Sequence, residues 1–381
     1  MTQIYLDNAA TTPLLDEVID AMVVVMKNNF GNPSSTHTLG QEAKTILEET
    51  RRKIAHELHV SPAEIIYTSC GTEANNLILK SAVEDLKIER IITTELEHKC
   101  VAESVENLKN SKNVEVIYLN VNEKGDVDIE QLQQLLKSSD KKTLVSLMHV
   151  NNEIGNLLDL DKVANICKEN GAYFHSDTVQ TMAHLPLDFS KTLVDFASCS
   201  AHKFHVDTKG AGFAFIRKST HLKAQIHGGT QERNLRAGTE NVVGIAGLGK
   251  AFEIATDNLE KFSSHIQEIK DYAIQRLSEK IPGILFNGRS AERDKSLYTV
   301  LSVSLPSQNP LIGLQLDMKG IAVSQGSACS SGAAKPSSVL SKILSEETQQ
   351  KTTPLRISFS HKTTKEEIDA LVNALVEILR L

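Results

Sequence analysis

The chain has 381 residues, of which 40% are hydrophobic and 23% charged. This composition is typical of globular domains and excludes disordered and fibrous classes. The formal net charge is −7, tryptophan is absent, and aromatic residues make up only 4%. A nucleic-acid-binding surface is not expected, because it requires a basic face and, for single strands, aromatic platforms.

The five cysteines, at positions 70, 100, 167, 199 and 329, form no C-x-x-C pair. An odd number without that spacing predicts neither a disulfide framework nor a metal site, and it favours a reducing compartment. The N-terminal segment has no basic-then-apolar signal pattern, and the apolar run AMVVVM is too short to span a membrane. We therefore expect a cytoplasmic protein.

The first half of the chain alternates between helical and strand patterns. The segment TPLLDEVIDAMVVVMKNN predicts a helix capped by Thr12, with Pro13 at its first position and one apolar stripe. Short apolar runs predict strands at residues 64–69, 90–95, 114–121 and 143–150, followed by AYFHSD and by an apolar strand at the start of FASCSAHKFH, most of them separated by helices. This alternation predicts parallel βαβ units, whose ligands bind beyond the carboxyl ends of the strands.

The second half begins with a long helical pattern from about Glu240 to Lys280, with a break near Asp257. Further strand patterns follow, and the chain ends on a helix capped by Thr364 with acidic residues in its first turn. We expect an α/β fold with a large domain over residues 13–257 and a smaller C-terminal domain over residues 258–381. Residues 1–12 are expected to pack at the junction.

The first strand ends carry residues suited to a phosphorylated ligand. Gly71 and Thr72 stand where a strand turns into a helix, so free N–H groups and a hydroxyl could bind phosphate. A tight turn with Thr72 as the helix cap explains the same residues. His98, after the next strand, suits an acid, a base or a ring-stacking partner, or simply a helix start. Asn151 and Asn152 follow a third strand, in a turn where asparagine is common.

The next two strand ends carry charged residues. Asp177 ends AYFHSD, with Gln180 one turn further on. A carboxylate there favours a cationic partner, and a helix N-cap explains it equally well. Ser200, His202 and Lys203 follow the next strand. A crowded lysine at this place could attack an aldehyde, whereas a solvated lysine is the ordinary alternative.

The order of these features is more specific than any single one. Successive strand ends carry four groups in order. They are a phosphate-binding turn, a residue that can lie beside a ring, an acid that can pair with a pyridinium nitrogen, and a lysine that can form an imine. These are the groups that bind pyridoxal phosphate and make its ring an electron sink.

The motifs around these residues resemble those of the cysteine desulfurases of the NifS and IscS type, within the aspartate-aminotransferase-like pyridoxal phosphate superfamily. The matching segments run nearly from end to end: YLDNAATTP, GNPSSTH, TSCGTEANN, EHKCV, HVNNEIG, HSDTVQ, SAHKFH, GGTQERNLRAGTEN, GSACSSGAAKPS and LRISFS. The resemblance implies a large domain with a mainly parallel, seven-stranded sheet covered by helices, and a smaller α/β domain.

The resemblance also implies residue roles. Lys203 would hold pyridoxal 5'-phosphate as a Schiff base and shuttle protons, and Asp177 would pair with the ring nitrogen. His98 would stack on the ring and help with the thiol proton. Gln180 would contact the phenolic oxygen and Asn152 would lie beside the ring. The phosphate contacts would be Gly71, Thr72, Ser200 and His202, and the substrate contacts would be Asn32, Asn152 and Arg356. The enzyme would be an obligate homodimer, in which Thr239 reaches the phosphate of the second subunit.

The implied reaction converts L-cysteine to L-alanine. Cys329, in the bare segment SQGSACSSG, would attack the substrate sulfur. It would carry that sulfur as a persulfide to an acceptor or scaffold protein for iron–sulfur cluster or thio-cofactor assembly. One segment departs from the family's usual pattern: HKFHVDTKGAG lacks Gly-Pro and has one extra residue, which affects the loop from Val206 to Gly210.

Three other functions are compatible with parts of the pattern. An aminotransferase needs no loop thiol, so Cys329 argues against it. A related lyase acting on selenocysteine would use the same groups. A non-enzymatic scaffold would not need Lys203, Asp177 and Cys329 together. Cys70 and Cys100 are expected near the cofactor rim, where nothing requires them to react.

Overall fold

The computed structural model describes residues 3–204, 209–325 and 337–381. The strands in these ranges are β1 (Ile4–Tyr5), β2 (Ile65–Thr68), β3 (Arg90–Thr93), β4 (Glu115–Tyr118), β5 (Thr143–Ser146), β6 (Tyr173–Asp177), β7 (Phe196–Ser200), β8 (Gly212–Ile216), β9 (Leu285–Phe286), β10 (Val300–Leu305), β11 (Ile321–Ala322) and β12 (Thr353–Ser358).

The α-helices of the same ranges are α1 (Asp16–Asn28), α2 (Thr38–Glu57), α3 (Gly71–Asp85), α4 (Lys99–Lys112), α5 (Ile129–Lys137), α6 (Leu160–Glu169), α7 (Gln231–Asn234), α8 (Val242–Asp257), α9 (Leu259–Lys280), α10 (Ile312–Met318), α11 (Leu340–Ile343), α12 (Glu346–Lys351) and α13 (Lys365–Leu379). Two short 3₁₀ helices cover Pro62–Glu64 and Ala201–Lys203. No helix among the described residues is both long and apolar enough to cross a membrane.

The large sheet has seven strands in the order β2-β8-β7-β6-β5-β3-β4. Neighbours from β7 to β4 pair in parallel, whereas β8 is antiparallel to both β2 and β7. β2 therefore runs in the same direction as β7, and every strand of this sheet except β8 has its carboxyl end at one edge. The predicted fold class is confirmed, although the sequence patterns did not identify β8.

Both faces of this sheet are buried. Phe174, Phe213 and Phe215 belong to one apolar cluster, and Ile66 and Phe196 belong to another. Because successive side chains of a strand point to opposite faces, helices must cover both sides. This explains the continuous apolar runs that predicted the strands.

A second sheet of three antiparallel strands, β12-β10-β9, lies in the C-terminal part. Helices α9 and α13 contact each other and supply a third apolar cluster that includes Ile269, Leu301 and Leu371. Near the N-terminus, β1 pairs in parallel with β11, so the first residues join this part of the molecule.

The predicted helix starts were partly correct. The Thr364 hydroxyl accepts a hydrogen bond from the Glu367 N–H, and the Glu367 carboxylate accepts one from the Thr364 N–H, which confirms the predicted cap of α13. The predicted cap of α1 is wrong, because that helix begins at Asp16. Thr12 instead donates from its N–H and its hydroxyl to the carbonyl of His202, at 3.1 and 3.3 Å.

Candidate active site

A cavity of about 330 Å³ lies at the carboxyl edge of the large sheet. Most of the predicted rim residues line it, because the parallel strands β2, β3, β5, β6 and β7 all end there. The predicted residues in its wall are Gly71, Thr72, His98, Asn152, Asp177, Gln180, Ser200, His202, Lys203 and Arg356.

Lys203 ends the short helix that follows β7. Its Nζ donates hydrogen bonds to the carbonyl oxygens of Ala9 and Ala10, both at 2.7 Å. The Gln180 amide also donates to the Ala9 carbonyl, at 3.3 Å. The N-terminal segment therefore forms one wall of the cavity. The role of the segment NAA was not predicted, and its only signal in the sequence is its place in a family motif.

Asp177 is buried and its two carboxylate oxygens have different partners. Oδ1 accepts the N–H of Val179 at 3.0 Å, within a turn, and no described helix begins at Asp177, so the alternative of a helix N-cap is wrong. Oδ2 accepts Nδ2 of Asn75 at 2.8 Å. Asn75, on α3, was not predicted, and its only signal was a position one turn after Gly71.

His175 fixes the orientation of Asn75. Burial lowers the pKa of His175 to about 4, so its ring is neutral. Its Nε2 lies 3.0 Å from Oδ1 of Asn75, and its Nδ1 lies 2.9 Å from the hydroxyl of Ser146. Because the Asn75 oxygen faces this histidine, the Asn75 amide nitrogen faces Asp177.

His98 lies at the start of α4 and also lines the cavity. Its Nδ1 accepts the backbone N–H of Cys100 at 3.2 Å, so it is the cap of the helix as well as a rim residue. The thiol sulfur of Cys100 lies 3.0 Å from the same nitrogen.

Arg356, on β12, reaches the cavity from the smaller sheet. Its Nη2 lies 2.8 Å from Oδ1 of Asp7, and its Nη1 donates to the carbonyl of Asn152 at 2.8 Å. Among the described residues, its buried Nε has no hydrogen-bond partner. Arg356 itself lines the cavity, and Asp7 holds it from behind. Asp7 was not predicted.

Glu97 is a further wall residue that the sequence analysis missed. It is 6% exposed, and its Oε1 accepts the N–H of Met148 at 2.7 Å. Its Oε2 has no partner among the described residues. Burial, reinforced by the nearby charge of Asp177, raises the pKa of Glu97 to about 8. Its carboxyl group is therefore mainly protonated at neutral pH.

The wall around Gly71 fits a phosphate group. Gly71 is the first residue of α3, so the unpaired N–H groups of a 15-residue helix begin there. A Cβ on Gly71 would lie 2.6 Å from Cγ2 of Val179, so only glycine allows this close approach. The cap position belongs to Cys70, which corrects the alternative of Thr72 as the cap; Thr72 is the second residue of the helix.

His202 adds a neutral imidazole to this wall. Burial, together with the charges of Lys203 and Lys209, lowers the pKa of His202 to about 4. Its Nδ1 lies 3.4 Å from the hydroxyl of Thr11.

Two predicted site residues among the described ones do not line the cavity. Asn32 and Thr239 are exposed and absent from its wall. Cys329 lies outside the described residues, as does most of the altered loop, Val206 to Thr208. Within the described ranges, no group of three or more His, Cys, Asp or Glu is placed to hold a metal ion.

The fold and the cavity define a pyridoxal-phosphate-dependent transferase of the aspartate-aminotransferase type. The sequence profile of the aminotransferase class-V family matches residues 4–371, and the chain belongs to this family. The chain is 40% identical over 379 residues to a protein named cysteine desulfurase IscS from Dictyoglomus turgidum, covering 99% of this chain and 94% of that protein.

Other relatives agree. A putative cysteine desulfurase IscS 1 from Bacillus subtilis is 36% identical over 383 residues, covering 100% of this chain and 99% of that one. The solved structure of a NifS-like protein matches with a TM-score of 0.90 and 37% identity over 100% of both chains. A NifS-like protein from Rickettsia africae matches with a TM-score of 0.88 and 31% identity, again over 100% of both chains. The family resemblance predicted from the motifs is confirmed.

Proposed function

We propose that this chain is a cysteine desulfurase that converts L-cysteine to L-alanine and passes the sulfur on as a persulfide of Cys329. The observation that carries the proposal is the meeting of Lys203, Asp177, His98 and Arg356 in one cavity wall. The names of relatives at 36–40% identity over nearly the whole chain support it.

Pyridoxal phosphate, when bound, supplies an electron-withdrawing ring that stabilises negative charge on the substrate carbon. Lys203 would hold it covalently, and Asp177 would keep its ring nitrogen protonated. The phosphate would lie at the start of α3. Thr72, Ser200 and His202 would contact that phosphate, and His98, Asn152 and Gln180 would contact the ring.

The chain's own groups have separate tasks. Arg356 orients the substrate carboxylate, because a guanidinium presents two parallel donors. The Lys203 amine takes and returns the proton at the substrate Cα. Asp177 keeps its orientation because Asn75 and the Val179 N–H hold both oxygens.

Cys329 would accept the sulfur. Its thiolate attacks the substrate sulfur, so an S–S bond forms as the substrate C–S bond breaks. The electron pair left on carbon takes a proton, and the product is alanine. The persulfide sulfur would then pass to an acceptor or scaffold protein for iron–sulfur cluster or thio-cofactor assembly, in the cytoplasm.

The chain would act as a homodimer with shared active sites. Helix α1 and the segment after it expose large apolar side chains, among them Val24, Met26 and Phe30. An exposed apolar face of this kind is typical of a protein interface. Asn32 follows the same segment and Thr239 is exposed, so both would complete the site of the second copy.

The chain would divide into domains 13–257 and 258–381, with residues 1–12 at the junction. The separate apolar clusters under the two sheets support this division. The break between α8 and α9 at Asn258 is consistent with it.

The deciding experiment measures products from L-cysteine. The enzyme loaded with pyridoxal phosphate should release alanine and, with a thiol reductant, sulfide in equal amounts. Cys329→Ala should keep the bound cofactor and lose alanine release. Cys167→Ala is the matched control, because Cys167 is buried under the sheet. Pyruvate formation without sulfide, or full turnover of Cys329→Ala, would overturn the proposal.

A further inference from the structure

Cys100 differs from the other described cysteines in its surroundings. It is the second residue of the 14-residue helix α4 and is partly exposed. Its sulfur lies 3.0 Å from Nδ1 of His98 and 3.2 Å from Nδ2 of Asn75, which donates to it. An imidazole that can take the thiol proton and an amide that donates to sulfur are the groups that a nucleophilic thiol uses.

Cys100 lies between the active-site cavity and a second groove. It lines the active-site cavity, and it also lines a neighbouring outer groove of about 390 Å³. Lys80, Lys99 and Glu103 line that groove, so two positive charges stand against one negative charge, and the excess positive charge favours an anionic small molecule. A reagent that enters the groove therefore meets the Cys100 thiol without first crossing the active-site cavity.

A second observation concerns the active-site side of Cys100, where a buried polar atom has no partner among the described residues. Glu97, the residue before His98, lines the same cavity. Its buried Oε2 has no hydrogen-bond partner in the described part of the chain. A buried polar atom of this kind ordinarily has a partner, such as a ligand or a water molecule.

We propose that Cys100 is a second sulfur-accepting thiol of this chain, activated by His98 and Asn75 and modified by anionic low-molecular-weight persulfides from the outer groove. The choice of sulfane sulfur as the modifying group rests on the proposed desulfurase function. This thiol is distinct from Cys329, which would take sulfur directly from the substrate.

The step balances without an added oxidant. His98 Nδ1 takes the thiol proton, and the Cys100 thiolate attacks the outer sulfur of the persulfide R–S–SH. The new S–S bond forms as the donor's S–S bond breaks. The donor leaves as a thiolate and takes the proton, giving R–SH and a persulfide on Cys100. A free thiol present in excess reverses the exchange.

The test treats the holoenzyme with glutathione persulfide in the absence of L-cysteine. After alkylation and digestion, mass spectrometry follows the added sulfur on each cysteine-containing peptide. Cys70 is the matched control, because it is partly exposed and lines the same cavity, and its described sulfur contact is to the Ser69 hydroxyl at 3.7 Å. We expect Cys100 to react about tenfold faster or more, since a positioned base contributes at least that much. Buried Cys167 and Cys199 should stay unmodified.

His98→Asn tests the activation itself. Asparagine keeps a side-chain acceptor for the helix cap and removes the imidazole. Labelling of Cys100 should slow by about tenfold, while labelling of Cys70 stays the same and Cys167 stays protected as a check of folding. Equal rates at Cys100 and Cys70 in the wild type would overturn the inference, and that comparison needs no variant.

The two proposals fail separately. The persulfide is added, so labelling of Cys100 does not depend on desulfurase activity. Absence of alanine release from L-cysteine would overturn the proposed function alone. Absence of preferential labelling at Cys100 would overturn this inference alone.

Discussion

Arg356, which lines the active-site cavity, forms an ion pair with Asp7, with Nη2 2.8 Å from Oδ1. The pair joins β12 to the segment that follows β1, and a bridge between Asp7 and Ser358 continues the same contact. Because Nη1 is also held by the Asn152 carbonyl, the guanidinium has a fixed orientation before any substrate arrives. Preorganised donors of this kind increase affinity by reducing the cost of ordering.

The first prediction concerns Arg356→Lys. Lysine keeps the charge but cannot present two parallel donors to a carboxylate. We expect the KM for L-cysteine to rise about tenfold or more, with a smaller change in kcat. Steady-state alanine release measures both constants. Arg289→Lys is the matched control, since Arg289 pairs with Asp126 and Glu292 away from this cavity. An unchanged KM in Arg356→Lys would remove Arg356 from the substrate site.

The second prediction concerns Lys203→Ala. Purified with pyridoxal phosphate and treated with borohydride, the wild type should retain one cofactor per chain covalently after denaturation. Lys203→Ala should retain none, because the amine that the Ala9 and Ala10 carbonyls hold in the cavity is missing. Lys209→Ala, which removes an exposed lysine of the same segment, should behave like the wild type. Covalent cofactor in Lys203→Ala would assign the attachment to another lysine.

The third prediction concerns the pH dependence of stability at Glu97. Burial raises the pKa of Glu97 to about 8 from an ordinary value of 4.5, so the folded protein binds this proton more tightly than the unfolded chain does. Between those two values the unfolded chain ionises first. Stability should therefore fall as pH rises through this window, by an amount on the order of a few kcal/mol.

Glu97→Gln tests this effect, because the amide stays neutral at every pH. The Tm difference between Glu97→Gln and the wild type should move in favour of the variant as pH rises from 5 to about 9. Glu95→Gln is the control for the loss of one negative charge, since Glu95 is exposed and pairs with Lys342. A Tm difference that stays constant with pH would show that Glu97 ionises as it does in the unfolded chain.

The sequence predicted the site residues that lie at the ends of strands, and it missed those whose roles depend on contacts between distant segments. Asp177, Ser200 and His98 were found because parallel strands bring their carboxyl ends to one edge, and that rule needs only the strand pattern. Asn75, Asp7 and Glu97 were not found. Their roles depend on contacts between distant segments, such as the bond from Asn75 to Asp177, which no local periodicity contains.

The fold was predictable for a similar reason. Strands that are covered by helices on both faces have continuous apolar runs, so β2, β3 and β5 were identified from those runs alone. Strand β8 was missed because it lies next to the loop after Lys203, which carries the unusual segment VDTKG. The start of α1 was misplaced because Thr12 bonds to His202, a tertiary contact that replaces the expected cap.

The last prediction concerns a buried ion pair between Arg51 and Glu232, a residue of the motif GGTQERNLRAGTEN. Arg51 donates from Nη1 and Nη2 to the two carboxylate oxygens of Glu232, both at 2.8 Å, and the Tyr67 N–H donates to the same carboxylate at 2.7 Å. Burial disfavours the charge of Arg51, but the hydrogen bonds and charge of Glu232 raise the pKa of Arg51 overall.

The ion pair between Arg51 and Glu232 also stabilises a strained segment of backbone. Glu232, Arg233 and Asn234, the last three residues of α7, have φ angles of 44°, 56° and 63°, so α7 is a turn and not a regular helix. Non-glycine residues rarely adopt this left-handed region. The contacts of Glu232 hold this strained turn, which precedes Thr239. Removal of the carboxylate would leave a buried guanidinium without its main partner and release the turn at the same time.

Glu232→Ala should therefore destabilise the protein by about 3–5 kcal/mol, measured by chemical denaturation of the holoenzyme. Glu48→Ala is the matched control, because Glu48 also contacts Arg51, at 3.1 Å, but its side chain is 33% exposed. Its loss should cost less than about 1 kcal/mol. Equal costs for the two variants would show that the pair with Glu232 contributes no more than a surface contact. A shift toward monomer in Glu232→Ala alone would further connect this turn to the proposed subunit interface at Thr239.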